Sequence, residues 1–285
     1  MRLLITGSTG FIGRHLLTEL AIGHELYALA RNRPADVQQG PVCWIAQDLT
    51  RPLDARALPD RIDGIIHLAQ SRHYRQFPEM AEDIFEVNIH STLRLLEYAR
   101  RAKAERFVYA SSGGVYGHSY ERFTEHHPVN PINFYLSSKY SAELLVANYQ
   151  EFFKTIVLRC FFVYGPGQEG MLMSNLVSQV QQGKTVTIQG NPGIRVNPLY
   201  VKDAARAFSA ALHTTTSGLF NLAGDEVVTI TDLVELIAQE IGCKANAMYE
   251  ASNSIGDLVG DNTMMKRILG VYPKVSLAEG IRAML

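Results

Sequence analysis

The sequence predicts an α/β fold in which a doubly wound parallel sheet carries a smaller α/β lobe at its C-terminal side. Strand-like and helix-like segments alternate through residues 1–165, the order that parallel strands with helical crossovers require. A glycine-rich turn, Thr6–Gly13, joins the first apolar run directly to the first helix-like segment. Beyond residue 165, prolines and glycines interrupt the alternation, which indicates the smaller lobe.

The individual elements follow from short apolar runs for strands and from helically spaced apolar residues for helices. The predicted strands are Leu3–Thr6, Glu25–Ala30, Val42–Ala46, Gly64–Ala69, Arg106–Ser111, Thr155–Arg159 and Leu219–Ala223. The predicted helices are Phe11–Leu20, Ile84–Ala102, Ser137–Phe152, Leu172–Val180 and Leu233–Ile241. Ligands of such sheets bind beyond the carboxyl ends of the strands, so candidate site residues are sought there.

The glycine turn predicts a dinucleotide site. Gly7 permits a tight turn, Gly10 lets the backbone approach a pyrophosphate, and Gly13 lets the helix pack close to the strand. The helix N-terminus offers free N–H groups to the phosphates. We therefore expect residues 1–165 to form a Rossmann-type dinucleotide-binding domain, joined by a later strand near 196–223, and residues 166–285 to form mainly the substrate-binding lobe.

Composition excludes several function classes. The formal net charge is −1, so there is no electrostatic case for nucleic acid or an anionic membrane. No apolar leader and no membrane-length apolar run are present, which predicts a cytoplasmic protein. Cys43, Cys160 and Cys243 are far apart and are expected to be buried, inert thiols. His126 and His127 lack a third ligand at suitable spacing, so no metal site is expected.

Three side chains are candidates for proton chemistry. Tyr135 and Lys139 are four residues apart on a predicted helix, so they share one face. A lysine ammonium near a phenol lowers the pKa of the phenol, which is otherwise too weak an acid near neutral pH. Ser112 ends a predicted strand and could hydrogen-bond the same substrate oxygen. Its alternative role is that of a turn-forming serine before two glycines.

These motifs resemble, in the same order, those of the NAD-dependent epimerase/dehydratase family, which are extended short-chain dehydrogenases/reductases acting on nucleotide sugars. The matching segments are His67–Ala69, Asn88 with its helix, Ser111–Gly117, Pro131–Glu143, Leu158–Gln168, Arg195–Asp203, Asn221–Leu222 and Leu269–Pro273. The resemblance covers essentially the whole chain.

The resemblance implies roles for particular residues. Tyr135 would be the general acid/base, Lys139 would lower its pKa and hold the nicotinamide ribose, and Ser112 would orient the reacting hydroxyl or keto group. The further cofactor contacts implied are Gly7, Gly10, Phe11, Ile12 and Gly13 at the pyrophosphate, Asp48 and Leu49 at the adenine, and Leu68 and Ala69, the latter beside the nicotinamide ribose. The implied substrate contacts besides Ser112 are Gly113, Arg195 and Tyr200. A homodimer formed through helices near 88–102 and 137–152 is also implied.

The cofactor preference departs from the family pattern. Ala30 stands where relatives that prefer NAD carry an acid for the ribose 2′-hydroxyl. Arg31 and Arg33 follow it, and an arginine at this point can bind a 2′-phosphate through two hydrogen bonds. The sequence therefore slightly favours NADP over NAD. The alternative is that both arginines simply face solvent.

The substrate side departs as well. Gly113 and Gly114 replace the Asp-Glu pair of the 4,6-dehydratases, which disfavours elimination of water. Phe162 replaces an asparagine that usually helps hold the substrate diphosphate, leaving Arg195 as a candidate phosphate ligand. The polar cluster Arg72–Arg75 lies near the expected substrate mouth, and the sequence assigns it no role.

The resulting expectation is an NAD(P)-dependent nucleotide-sugar epimerase that acts at C4 by transient hydride transfer. The alternative is an NADPH-dependent reductase of a keto-sugar nucleotide or another carbonyl, which the same motifs would serve and which Arg31 and Arg33 favour. A non-catalytic dinucleotide sensor is the third possibility. The presence of Ser112, Tyr135 and Lys139 together argues against it.

Overall fold

The structure is a computed structural model that describes residues 1–32, 42–251 and 256–285. Its strands are β1 (Arg2–Thr6), β2 (Glu25–Ala30), β3 (Val42–Ala46), β4 (Gly64–His67), β5 (Arg106–Ser112), β6 (Lys154–Cys160), β7 (Val163–Tyr164), β8 (Val186–Gln189), β9 (Arg195–Val196), β10 (Leu199–Tyr200), β11 (Gly218–Leu222), β12 (Val228–Thr229) and β13 (Ala247–Glu250). Its helices are α1 (Phe11–Leu20), α2 (Ala81–Phe85), α3 (Ser91–Arg101), α4 (Phe134–Asn148), α5 (Leu172–Gln181), α6 (Val201–Ala211), α7 (Ile230–Ile241), α8 (Thr263–Leu269) and α9 (Leu277–Arg282).

Within the described residues, seven strands form one parallel sheet in the order β11-β6-β5-β4-β1-β2-β3. Successive side chains of a strand point to opposite faces. Leu3 and Ile5 of β1 accordingly pack on one face with Phe208 of α6, while Leu4 packs on the other with Leu95 of α3. Both faces are covered by helices, so the predicted doubly wound, Rossmann-like α/β fold is confirmed.

The strand order reverses between β1 and β4. From β1 the chain proceeds through β2 and β3 toward one edge, and from β4 through β5 and β6 toward the other. The carboxyl ends of β1 and β4 therefore border the crevice where ligands of open α/β sheets bind. The glycine turn follows β1 and Leu68 follows β4, so both lie at this crevice.

A smaller core lies in the C-terminal part of the chain. Leu176 of α5 packs there with Leu233 and Ile237 of α7 and with Ile281 of α9. Short strand pairs, β8 with β13 and β9 with β12, accompany these helices. Between them the chain returns to the large sheet, because α6 packs on α1 and β11 pairs with β6.

The predicted helix over Ile84–Ala102 is interrupted. A π-helical turn, Glu86–His90, separates α2 from α3. The hydroxyl of Thr92 donates to the Asn88 carbonyl oxygen at 2.7 Å, and the hydroxyl of Ser91 donates to the Val87 carbonyl oxygen at 2.6 Å. Such side-chain bonds offer the helix carbonyls an alternative to the regular helical ladder, and here they accompany the wider π turn.

Two further expectations are corrected. The helix carrying Tyr135 begins at Phe134 rather than at Ser137, because the Asn133 side chain caps it by accepting a hydrogen bond from the Leu136 backbone N–H at 2.9 Å. Cys43 and Cys243 are exposed rather than buried, since Cys43 lies on the edge strand β3 and Cys243 lies just beyond the end of α7. Among the described residues, no helix is both long and apolar enough to cross a membrane.

Candidate active site

The glycine turn packs tightly against the end of β4. Gly7 has a φ of +67°, and its carbonyl oxygen accepts a hydrogen bond from the Gly10 N–H at 2.9 Å. A Cβ on Gly7 would stand 2.7 Å from the Ala69 nitrogen, and one on Gly13 only 2.1 Å from the Gly7 oxygen. Gly10 itself is exposed. The turn thus needs glycine for its own geometry and leaves an open backbone cradle that fits a pyrophosphate.

A buried polar chain joins the carboxyl ends of β1 and β4. The Nδ1 atom of His67 lies 2.6 Å from Thr6 Oγ1, and its Nε2 atom lies 3.0 Å from Thr92 Oγ1. The Thr6 hydroxyl oxygen also accepts the Ala69 N–H at 3.2 Å. Burial lowers the pKa of His67 to about 3, so the ring is neutral at physiological pH. His67 therefore holds the crevice walls together rather than exchanging protons.

Tyr135 lies in the first turn of α4 and faces the segment that follows β4. Its hydroxyl donates a hydrogen bond to Gln70 Oε1 at 2.8 Å, and its ring lies 4.9 Å from the ring of Tyr74. Burial raises the pKa of the Tyr135 phenol above its usual value. The sequence predicted a lowered pKa, so the direction is reversed in the structure as it stands.

Lys139 explains this reversal. Its ammonium donates a hydrogen bond to the Ala110 carbonyl oxygen of β5 at 2.6 Å and lies 4.7 Å from the centre of the Tyr109 ring. The side chain is buried, and burial lowers the pKa of Lys139 to about 8. Because the cation is directed at the strand rather than at the phenol, it does not offset the desolvation of Tyr135.

Ser112 and the glycines after it occupy the neighbouring strand end. The Ser112 hydroxyl oxygen accepts the Gly114 N–H at 3.2 Å, which is the turn-forming role that the sequence left open. Its own O–H bonds no acceptor among the described residues. A Cβ on Gly113 would stand 2.5 Å from the buried Phe161 ring, and one on Gly114 would stand 2.9 Å from Leu136. A side chain at either position would therefore require Phe161 or Leu136 to shift.

Two of the predicted substrate contacts are engaged or buried. Arg195, the candidate phosphate ligand, is already ion-paired, because its Nε donates to Asp257 Oδ2 at 2.8 Å. Tyr200 is 6% exposed and packs edge-on against Tyr164 in the core of the smaller lobe. A substrate contact for Tyr200 stays a prediction; its backbone lies in β10, which pairs with β7.

Phe162 adopts a φ of +43°, in the left-handed region. Asparagine tolerates this conformation, whereas a bulky aromatic residue rarely adopts it. The Phe162 ring packs at the edge of the smaller core, which holds the backbone in place. Phe162 supplies no amide donor at the position where the resemblance implies an asparagine.

The structure describes part of the segment that is predicted to lie at the adenine end of the dinucleotide. Arg31 is exposed after β2, and Arg33 lies outside the described residues. Asp48 is exposed and accepts the Thr50 N–H at 3.0 Å, a bond that lowers the pKa of its carboxyl, with a smaller contribution from the Arg31 charge. The predicted pyrophosphate neighbours Phe11 and Ile12 are half-buried in the first turn of α1.

Sequence reasoning missed the partners that connect these groups. Gln70 contacts the phenol, and Asn88 binds both the Ser71 N–H and the Ser138 hydroxyl, each at 2.8 Å. The one available signal for Gln70 was its position, because it directly follows the family-matching segment His67–Ala69.

A glycine cradle after β1, with a serine, a tyrosine and a lysine on neighbouring elements at the carboxyl edge, defines a dinucleotide-dependent enzyme of the extended short-chain dehydrogenase/reductase type. The family comparison agrees: the model of the NAD dependent epimerase/dehydratase family matches residues 3–223. The chain belongs to this family, whose members act on nucleotide sugars.

The matches to individual relatives cover nearly the whole chain. A putative UDP-glucose 4-epimerase of Methanocaldococcus jannaschii is 27% identical, over 98% of this chain and 96% of the relative. The dTDP-D-glucose 4,6-dehydratase of Homo sapiens is 28% identical, over 99% and 88%. The structure of UDP-glucuronic acid 4-epimerase from Bacillus cereus, in complex with UDP-glucuronic acid and NAD, is 27% identical with a TM-score of 0.89, covering 99% of this chain and 97% of that one.

Proposed function

We propose that the protein is a nucleotide-sugar 4-epimerase that works by transient hydride transfer. The observation that carries this proposal is the position of the Tyr135 hydroxyl beside the β4 end of the crevice, with Ser112 and Lys139 on the adjoining strand and helix. The structural similarity to a UDP-glucuronic acid 4-epimerase supports the same reaction. The relatives whose cofactor is stated bind NAD, and the glycine cradle here fits a dinucleotide.

The bound dinucleotide would supply the acceptor and later the donor of the hydride, and the chain's own side chains would handle the proton. Tyr135 would take the proton of the sugar C4 hydroxyl and return it after the sugar has turned over. The free O–H of Ser112 would hold the reacting oxygen. Lys139 would anchor the nicotinamide ribose and favour the phenolate once it is redirected from the Ala110 carbonyl.

The site is poorly suited to a 4,6-dehydratase, although one relative has that activity. Elimination of water needs an acid and a base near the sugar C5 and C6. Gly113 and Gly114 supply neither, and a Cβ at either position would already approach the Phe161 or Leu136 side chain to less than 3 Å.

A keto-sugar reductase is the second candidate, and the exposed Arg31 is the observation that favours it. Incubation with UDP-glucose, UDP-glucuronic acid or UDP-N-acetylglucosamine and a catalytic amount of NAD or NADP, followed by NMR of the sugar products, tests for epimerisation. A parallel incubation of a keto-sugar nucleotide with NADPH, followed by the loss of NADPH absorbance, tests for reduction. We expect an equilibrium mixture of C4 epimers without net cofactor reduction. Stoichiometric NADPH consumption with a keto sugar and no epimerisation would instead support the reductase.

Arg31 offers a test of the cofactor preference. The sequence favours NADP, and an exposed guanidinium at the end of β2 can reach a 2′-phosphate. We expect Arg31→Ala to weaken NADP binding about tenfold and to leave NAD binding unchanged, because only NADP carries the extra phosphate. Isothermal titration measures both, with Arg56→Ala as an exposed-arginine control. Equal losses for both cofactors would contradict a 2′-phosphate contact.

We further propose that residues 1–165, with the returning segment that includes β11, form the cofactor-binding domain, and that residues 166–285 mainly form the substrate lobe. We also propose a homodimer through α3 and α4. Leu93 is 38% exposed and Leu144 is 51% exposed on these helices, and Phe85 of the adjoining α2 is 47% exposed. Apolar side chains clustered on a surface are typical of subunit contacts. Light scattering of the purified protein measures the oligomeric state.

A further inference from the structure

The residue that touches the Tyr135 hydroxyl is Gln70, not a charged group. Gln70 Oε1 lies 2.8 Å from the phenol oxygen and accepts its proton-bearing O–H. The Gln70 side chain is half-buried at the point where the chain leaves β4. An uncharged amide at this distance is suited to respond to the protonation state of the phenol without introducing a charge of its own.

The segment that carries Gln70 is fixed at several points. The backbone N–H of Ser71 donates to the buried Asn88 side chain at 2.8 Å. The Tyr74 hydroxyl donates to the Met171 sulfur at 3.2 Å, and Arg75 donates to the Gly170 carbonyl oxygen at 3.0 Å. Residues 70–76 are thus held between the π-helical turn and the entrance to α5, so the amide stays within reach of the phenol.

A primary amide can form a hydrogen bond with either the protonated or the ionised form of a phenol. Its carbonyl oxygen accepts from the neutral O–H, whereas its NH₂ group donates to a phenolate after rotation about the last side-chain torsion. A hydrogen bond to the charged form is roughly twice as strong as one between neutral groups. An amide that can rotate therefore favours the phenolate relative to an apolar side chain of the same size.

We propose that Gln70 is a positioning residue for Tyr135, accepting from the protonated phenol and, with its amide turned over, donating to the phenolate during proton transfer. This inference rests on the proposed function, in which Tyr135 exchanges a proton with the sugar. It adds a partner for the transient phenolate on the side of the ring that Lys139 does not reach.

The other ionisable groups around the phenol leave this role open. Burial raises the pKa of Tyr109 and raises that of Cys160 to about 12, so both are neutral near pH 7. Tyr74 packs on the ring of Tyr135. The Lys139 ammonium donates to the Ala110 carbonyl oxygen. The Arg75 guanidinium lies 5.1 Å from the centre of the Tyr74 ring and donates to the Gly170 carbonyl oxygen, so both cations are engaged by backbone carbonyls.

The test measures the pH midpoint at which Tyr135 ionises in the NAD-saturated protein. NMR of tyrosine labelled with ¹³C at Cζ monitors this titration. Tyr135→Phe identifies the resonance among the 13 tyrosines. We expect Gln70→Leu to raise the midpoint by about one pH unit, since the charge-assisted bond is lost. Gln70→Glu should raise it at least as much, because an ionised carboxylate only accepts. The rising limb of the kcat/KM profile with pH should move in the same direction.

Gln76→Leu is the matched control, because Gln76 lies in the same segment and bonds His73 instead, at 3.1 Å. An unchanged or lowered midpoint in Gln70→Leu overturns the proposal. So does an equal rise in Gln76→Leu, because that side chain bonds His73 and not the phenol. The titration needs no sugar, so absent epimerisation with a shifted midpoint would overturn the proposed function alone.

Discussion

Tyr135→Phe is expected to lower kcat for epimerisation by about 10²- to 10⁴-fold, the usual contribution of a general acid/base. The substitution removes only the hydroxyl, which binds Gln70, and keeps the ring that packs 4.9 Å from Tyr74. Dinucleotide affinity should therefore stay within about twofold, as expected when a group acts in the transition state rather than in binding. Steady-state kinetics and titration of the cofactor measure the two effects separately.

Tyr140→Phe is the matched control, because Tyr140 lies on the same helix and packs at the edge of the cluster around Phe161. It should retain activity within about a factor of two, as surface-proximal conservative changes usually do. If Tyr135→Phe turned over at the wild-type rate, the proton would have to come from another group. Ser112 would then be the first residue to replace.

Glu143→Ala should lower the free energy of unfolding by about 3–5 kcal/mol, the largest stability effect that we expect in this chain. The Glu143 and Arg159 side chains are each 5% exposed, with Arg159 Nη2 2.5 Å from Glu143 Oε2 and Nε 3.0 Å from Oε1. Ser111 also donates to this carboxylate, and the Arg159 guanidinium lies 4.4 Å from the centre of the Tyr116 ring. Truncation would leave a buried guanidinium without its counter-charge.

Urea denaturation followed by circular dichroism measures this loss. Glu105→Ala is the control, because Glu105 is 67% exposed and pairs with Arg106 at 2.9 Å on the surface. Exposed pairs contribute at most about 1 kcal/mol, so its effect should be small. The double variant Glu143→Leu/Arg159→Met should recover much of the stability, since it removes both charges. A loss below about 1 kcal/mol in Glu143→Ala would mean that Arg159 finds a new partner.

The sequence predicts those parts of the structure that depend on local pattern. Alternating apolar segments predict the parallel sheet, and the glycine spacing predicts the cradle after β1. The π-helical turn was not predictable, because it depends on where the Thr92 and Ser91 hydroxyls find acceptors. Helical periodicity alone shows no difference between a regular helix and one with a single wider turn.

Contacts within the site were harder to predict. Gln70 and Tyr135 are 65 residues apart in sequence, so no spacing rule brings them together. Tyr135 and Lys139 do share a helix, as predicted, yet the ammonium bonds a strand carbonyl across the interface instead of approaching the phenol. The packing of Tyr200 against Tyr164 is likewise a tertiary contact that sequence spacing does not show.

The path of the chain between the two lobes limits the order in which the lobes can fold. After β6 the chain leaves the large sheet, then returns with α6 and β11 before leaving again. The edge strand of the sheet is thus encoded after much of the smaller lobe. The large sheet cannot be completed until the ribosome has synthesised β11, which ends at residue 222. Neither lobe is therefore built from one uninterrupted stretch of the chain.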